Sequence, residues 1–362
     1  MSNRDNKLKR GAPMLPFTYE PMSEGRNMAI VTGTNGNDRY PNELEGTDKA
    51  DQIFGLAGDD TLIGFNGNDV LTGGAGADEL FGSDGFDMAS YAGSRAGVAV
   101  DLQFAEAERG DAAGDTLYSI EGLIGSSKTD YLYGDDLRND LQGGGSSDAL
   151  YGRGGNDRLS GGDGKDILIG GEGADELRGD GGMDFARYYA SDAGVTVDLA
   201  KGTGKGGDAE GDRFVSVESI DGSNFADRLI GNGAANWFAG SGGADVLTGG
   251  GGADRFYVNY EDSTAGAPDR ITDFSRAQGD KIVTGDANED ASGLQAFRFI
   301  GTNEFTAVGQ LRWFQSGGDT IIEGNTDAAP GAELRIVLDP LLSLQASDFI
   351  FGATGFAPPI ES

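Results

Sequence analysis

The 362-residue chain contains neither cysteine nor histidine. Disulfides, thiolate and imidazole metal ligands, cysteine nucleophiles and every histidine-based triad are thereby excluded. Proline is scarce: there are nine, and none lies between Pro41 and Pro268. A central β-strand needs all its backbone N–H groups, so this long proline-free interval suits an uninterrupted hydrogen-bonded ladder. No apolar run reaches the roughly 18 residues of a membrane-spanning helix, so no membrane span is expected. The amino terminus also lacks the apolar segment of a cleaved secretory signal, and an exported chain would need another address. Basic residues are few, 27 Lys and Arg against 60 Asp and Glu, for a net charge of −33. Such an excess opposes compaction, repels nucleic acid and anionic lipid and favours cations, so no nucleic-acid partner is expected.

What the chain has in abundance is glycine, 64 residues, together with 37% hydrophobic residues, enough to bury a core. No strict every-third glycine occurs, so a collagen helix is ruled out. The glycines instead belong to a nine-residue unit, Gly-x-x-Gly-x-Asp-x-apolar-x. Its sixth position is Asp51, Asp60, Asp69, Asp78 and Asp87 in a first run, with Asp38 as an out-of-register forerunner. A second run gives Asp130, Asn139, Asp148, Asp157, Asp166, Asp175 and Asp184, and a third gives Asp227, Asn236, Asp245 and Asp254. The eighth position is apolar throughout, from Tyr40, Ile53 and Leu62 to Leu247 and Phe256, with only Ala89 and Ala186 small. A second period overlies the first. A shift of 97 residues carries Tyr91, Asp115 and Glu121 onto Tyr188, Asp212 and Glu218, so one cassette is duplicated.

Units this rich in Gly, Asp and Asn are poor helix formers and suit a short strand plus a tight turn. Two units complete a coil of 18 residues, which stacks Asp51 over Asp69 and Asp87 on one edge and Asp60 over Asp78 on the other. Carboxylates about 4.8 Å apart repel, and a divalent cation between them reverses the sign. Calcium accepts six to eight oxygens in flexible geometry, whereas magnesium demands a tighter octahedron. Seventeen units give ten same-edge pairs, hence about ten bridging Ca2+ ions, with all seventeen sixth-position residues as ligands and weaker sites at Asn139 and Asn236.

The unit Gly73-Gly74-Ala75-Gly76-Ala77-Asp78-Glu79-Leu80-Phe81 resembles the nonapeptide of RTX (repeats-in-toxin) calcium-binding proteins secreted by Gram-negative bacteria. The tail, with Asp269-Arg270-Ile271-Thr272-Asp273-Phe274, Gly279-Asp280-Lys281-Ile282 and Asp348-Phe349-Ile350-Phe351, resembles the end of serralysin-type members. That resemblance implies a tail that caps the roll and carries an uncleaved type I secretion signal. The protease and lipase activities of such proteins need histidine and do not carry over.

The expected fold is therefore all-β: a right-handed parallel β-roll or β-helix solenoid with a β-rich carboxyl-terminal cap. A flexible leader is expected over 1–28 and the solenoid over 29–257. Within the solenoid, nonapeptide runs over 33–90, 125–187 and 222–257 are separated by homologous spacers, 91–124 and 188–221, read as further coils. The cap and secretion signal span 258–362. Met28 offers an alternative start to Met1. Arg109-Gly110-Asp111 and Arg178-Gly179-Asp180 are coincidences of a Gly- and Asp-rich chain. Asp286 to Asp290 begins like an EF-hand loop but lacks its glycine and bidentate Glu.

The chain reads as a calcium-dependent secreted or surface protein without catalytic activity. The alternatives are a polysaccharide-acting lyase or epimerase on a β-helix face, and a delivery or adhesin module whose cell-surface or polysaccharide partner the sequence does not identify. Same-edge pairing makes a distinction that calcium titration of variants can read. Asp157→Ala should weaken two neighbouring sites and Asp38→Ala should matter little; equal effects would contradict the pairing.

Overall fold

The computed structural model describes residues 28–259, 262–285, 295–327, 331–339 and 341–352. All but the last residue of the expected leader, the segment 286–290 and the final ten residues of the expected secretion signal lie outside the described residues.

Within the runs the nonapeptides fold as the strand-plus-turn their composition dictates, and strands two units apart pair in parallel, 18 residues on. Gln52–Ala57 pairs with Val70–Ala75, placing Ile53 opposite Leu71. Thr61–Ile63 pairs with Glu79–Phe81 on the other face, placing Leu62 opposite Leu80. The second run repeats this with Asp140–Gly145 against Arg158–Gly164 and Ala149–Gly154 against Ile167–Glu172. The two faces form a flattened parallel β-roll. Its interior is a file of eighth-position side chains, with Ile53, Leu71, Leu141, Leu159 and Leu177 from one face meeting Leu62, Leu80, Leu132, Leu150 and Leu168 from the other, all fully buried.

The forerunner unit departs from the expected pattern. Tyr40, at its eighth position, is 87% exposed. The chain turns at 40–42 after Asp38, and Leu44 takes the inward place instead, paired with Leu62. The 13-residue step from Asp38 to Asp51 makes room for that turn, and the register of every later unit starts from Leu44.

The spacers do enter the ladder, but by a step the repeat does not foretell. From Met88–Ser90 the chain first places Ala99–Asp101 against Tyr131–Tyr133, one coil ahead. It then returns through the antiparallel Glu106–Glu108 and lays Thr116–Tyr118 on Glu79–Phe81, one coil behind. Gly122–Ile124 finally bridges Met88–Ser90 and Asp140–Gly145. The second spacer repeats the step on the opposite face: Thr196–Asp198 pairs forward with Arg228–Ile230, and Arg213–Val215 pairs back onto Glu176–Gly182.

At the carboxyl end both faces run on into the cap. Asp269–Ile271 continues one ladder and Lys281–Thr284 the other. Leu334–Leu338 and Phe349–Phe351 then add in parallel as the closing strands. An antiparallel hairpin, Gln310–Ser316 with Asp319–Asn325, covers Leu334–Leu338, so the ladder on that face does not end in an open parallel strand. Arg312 and Arg335 converge on buried Glu323 and Arg276 grips Asp348 in a two-pronged pair, fixing the cap by charge.

Because each coil touches only its neighbours, stability is roughly a sum over coils, and each inward leucine is a unit of it. Leu159→Ala should cost about 2–5 kcal/mol in denaturant unfolding at saturating calcium, the range for a buried leucine. The exposed Tyr40→Ala should cost far less, and equal costs would contradict the burial pattern.

Candidate metal centre

The turns bring the sixth-position side chains into two buried rows, one along each edge of the roll. Within a row the contact is direct. The backbone N–H of each sixth residue donates to Oδ1 of the carboxylate one coil on: Asp51 to Asp69, Asp69 to Asp87, Asp60 to Asp78, Asp148 to Asp166, Asp166 to Asp184 and Asp157 to Asp175, all at 2.7–2.9 Å. Asp38 to Asp60, Asp130 to Asp148, Asn139 to Asp157, Asp227 to Asp245 and Asn236 to Asp254 follow the same rule at 2.7–2.8 Å. All seventeen residues singled out from the sequence thus lie in the rows; within the runs the residues brought together are 18 apart, and Asp38 reaches Asp60, 22 residues on.

The rows extend one coil beyond each run, through acids outside the repeat. Asp78 and Asp87 donate to Asp115 and Glu121, Asp175 and Asp184 to Asp212 and Glu218, and Asp245 and Asp254 to Asp269 and Asp280. The recurrence of Asp115 and Glu121 at Asp212 and Glu218 was the available signal for four of these six. Two of the extending carboxylates are closed off by a buried phenol: Tyr91 donates to Asp115 Oδ2 at 3.2 Å and Tyr188 to Asp212 Oδ2 at 2.7 Å.

The other oxygen of the repeat aspartates is the chemically telling one. Oδ2 of Asp60, Asp69, Asp78, Asp87, Asp148, Asp157, Asp166, Asp175, Asp184, Asp245 and Asp254 is buried and has no hydrogen-bond donor. It turns back over the first-position glycine of its own unit, so that a Cβ at Gly73 or Gly170 would overlap it. In successive coils the turns also close up on one another, and a side chain at Gly74 or Gly76 would strike the carbonyl oxygens of Leu56 and Gly58. Carboxylate and carbonyl oxygens are the donor set of a hard cation, and with no imidazole or thiolate in the chain they fit calcium. Among the described residues no three acidic side chains converge on one point, so each ion would be shared along a row and completed by turn carbonyls.

Burial drives the carboxyls toward the neutral form. It pushes Asp69, Asp78, Asp87, Asp166 and Asp254 up to about 6 and Asp175 and Asp184 up to about 7, against bonds from the preceding coil's N–H that pull the other way. Asp148 and Asp157, in the middle of the longest run, rise to about 8. Repulsion from row neighbours adds to the shift, as from Asp130 and Asp166 at Asp148.

The RTX calcium-binding nonapeptide repeat model matches residues 41–64, 66–89, 124–159, 133–168, 151–186 and 221–257. No curated protein matches the chain. Among solved structures the chain is similar to the extracellular lipase LipA from Serratia marcescens at 14% identity and a TM-score of 0.24, over 61% of this chain and 40% of the lipase. It is also similar to the AlgE6R3 subunit from the Azotobacter vinelandii mannuronan C5-epimerase at 21% identity and a TM-score of 0.17, over 64% of this chain and 83% of that subunit.

A carboxyl whose folded-state pKa lies above its unfolded value of 3.8 stabilises the fold below that value and loses the contribution as pH rises through 6 to 8. The calcium-free chain should therefore gain β-structure as pH falls from about 8 to about 4. Far-ultraviolet circular dichroism in EGTA checks this, and greater β-content at the alkaline end would contradict it.

Proposed function

We propose that this chain of RTX calcium-binding nonapeptide repeats is a secreted, non-catalytic structural or interaction protein whose folding calcium triggers outside the cell. That calcium holds its β-roll together follows from the matched repeats and the buried aspartate rows. The observation that carries the reading is the line of donorless Oδ2 atoms: eleven buried carboxylate oxygens in rows are untenable as a charged set until cations join them. About ten ions would contribute some 20 positive charges against a net −33. Binding free energy then becomes folding free energy, because the ligands come from different coils and no site exists in the unfolded chain.

Export is supported by the repeat family and by the tail motifs that resemble a type I secretion signal. Extracellular calcium modules bind at roughly 0.1 to 1 mM, so the chain would stay unfolded at cytosolic calcium and fold after passage outward. No helix among the described residues is long and apolar enough to cross a membrane.

An enzymatic reading would need a cleft with catalytic groups free to act. A shallow cavity of about 230 Å³ lies between the outer face near Tyr151 and Ile169 and the second spacer near Tyr189 and Asp208. Its cations are committed to structure: Arg153 binds Asp101 at 2.6 and 2.8 Å, and Arg187 pairs with Asp221 at 3.4 Å. The scaffold reading accounts for the acidic rows and the enzymatic one does not.

Calcium titration of the EGTA-treated chain should produce a cooperative gain of β-structure with a midpoint of roughly 0.1 to 1 mM, which equimolar magnesium does not reproduce. A folded state indifferent to both ions would overturn the proposal.

A further inference from the structure

The seventeen repeat turns are of two kinds, and the division follows position within a run. We infer that the opening coil of each run is closed without metal, and that calcium is confined to the eleven turns that follow. This deepens the calcium reading and rests on it.

In the first two units of every run, those of Asp38, Asp51, Asp130, Asn139, Asp227 and Asn236, the sixth-position side chain is capped from within. The backbone N–H groups of Thr34, Thr47, Ser126, Asp135, Ser223 and Asn232 donate to the oxygen that elsewhere lacks a donor, at 2.5–2.8 Å. These second-position residues are all Ser, Thr, Asp or Asn, the types whose short polar side chains bond the backbone two residues on. Ser126 accepts from the N–H of Lys128, Asp135 from Leu137, Ser223 from Phe225 and Asn232 from Ala234. None of the six adopts a positive φ.

In the other eleven units the second residue lies in the left-handed region, including non-glycines such as Leu56, Phe65 and Arg153 at φ 80°, 68° and 73°. The fourth residue does so too, as glycine in ten units and Ser146 in one. This turn swings the second-position N–H away from the carboxylate, and these eleven are the units whose Oδ2 is buried without a donor. Left-handed backbone at a non-glycine costs energy that a ligand must offset.

The two asparagines supply an independent mark. Both Asn139 and Asn236 fall among the six capped turns, where the amide oxygen accepts the internal N–H and the amide nitrogen donates to the carbonyls of Glu121 and Glu218 at 3.2 and 3.1 Å. A site that needs no charge tolerates Asn, and none of the eleven uncapped turns carries it. Each run therefore begins with a coil that holds its own shape and offers a template on which the calcium-dependent coils stack.

The test is calcium bound per chain, by elemental analysis of the equilibrated, desalted protein, for wild type, Asp130→Asn, Asp166→Asn and Asn139→Asp. Asp130→Asn should leave the number unchanged and Asp166→Asn should lower it by one or two ions. Asn139→Asp, which restores the repeat consensus, should add none. A loss with Asp130→Asn equal to that with Asp166→Asn, or an ion gained with Asn139→Asp, would overturn the inference. A wild-type chain without calcium would instead overturn the calcium reading itself.

Discussion

A carboxylate oxygen that is buried and has no hydrogen-bond donor is held charged in a folded protein only when a cation neutralises it. This roll sets eleven such oxygens in rows, one coil apart, where two unit charges repel by about 3 kcal/mol per pair at an effective dielectric near 20. The glycine at the first position of each unit, the left-handed backbone at the second and fourth, and the in-register stacking of successive turns all serve that one arrangement. The leucine file supplies the hydrophobic drive, and the rows decide the conditions under which it can act.

Much of this was legible in the chain. The nine-residue ruler located the rows, because a period of nine in two half-coils can stack only with residues 18 apart, and the apolar eighth position named the core. The 97-residue shift announced that both spacers would be built alike. Other features were not legible because they depend on what a turn does with its polar groups. Thr47 and Ser126 resemble ordinary repeat filler, yet their N–H groups cap Asp51 and Asp130. Glu121 and Glu218 lie off the ruler, yet their carboxylates accept from the N–H of Asp87 and Asp184. Tyr40 occupied an apolar position by count, and the cost of turning the chain into register put it in solvent. The forward-and-back step of the spacers is a matter of topology that periodicity does not encode.

Function follows from the one-dimensional build. Coils contact only their neighbours, so an ion shared along a row would stabilise a junction, and the stability of the roll is roughly a sum over junctions. Starter coils closed by their own hydrogen bonds limit how much of the chain must wait for metal. The phenols of Tyr91 and Tyr188 stand at the ends of two rows and supply a hydroxyl to the last carboxylate. On the proposed reading, a protein built this way is a scaffold whose fold is conditional on calcium.

The most direct measurement is diffraction from calcium-grown crystals at a wavelength where calcium scatters anomalously. The account predicts two rows of anomalous peaks along the edges of the roll, each roughly 2.3–2.6 Å from an Oδ2 such as that of Asp69, Asp157 or Asp166. Well-ordered rows of those carboxylates with no anomalous density beside them would contradict it.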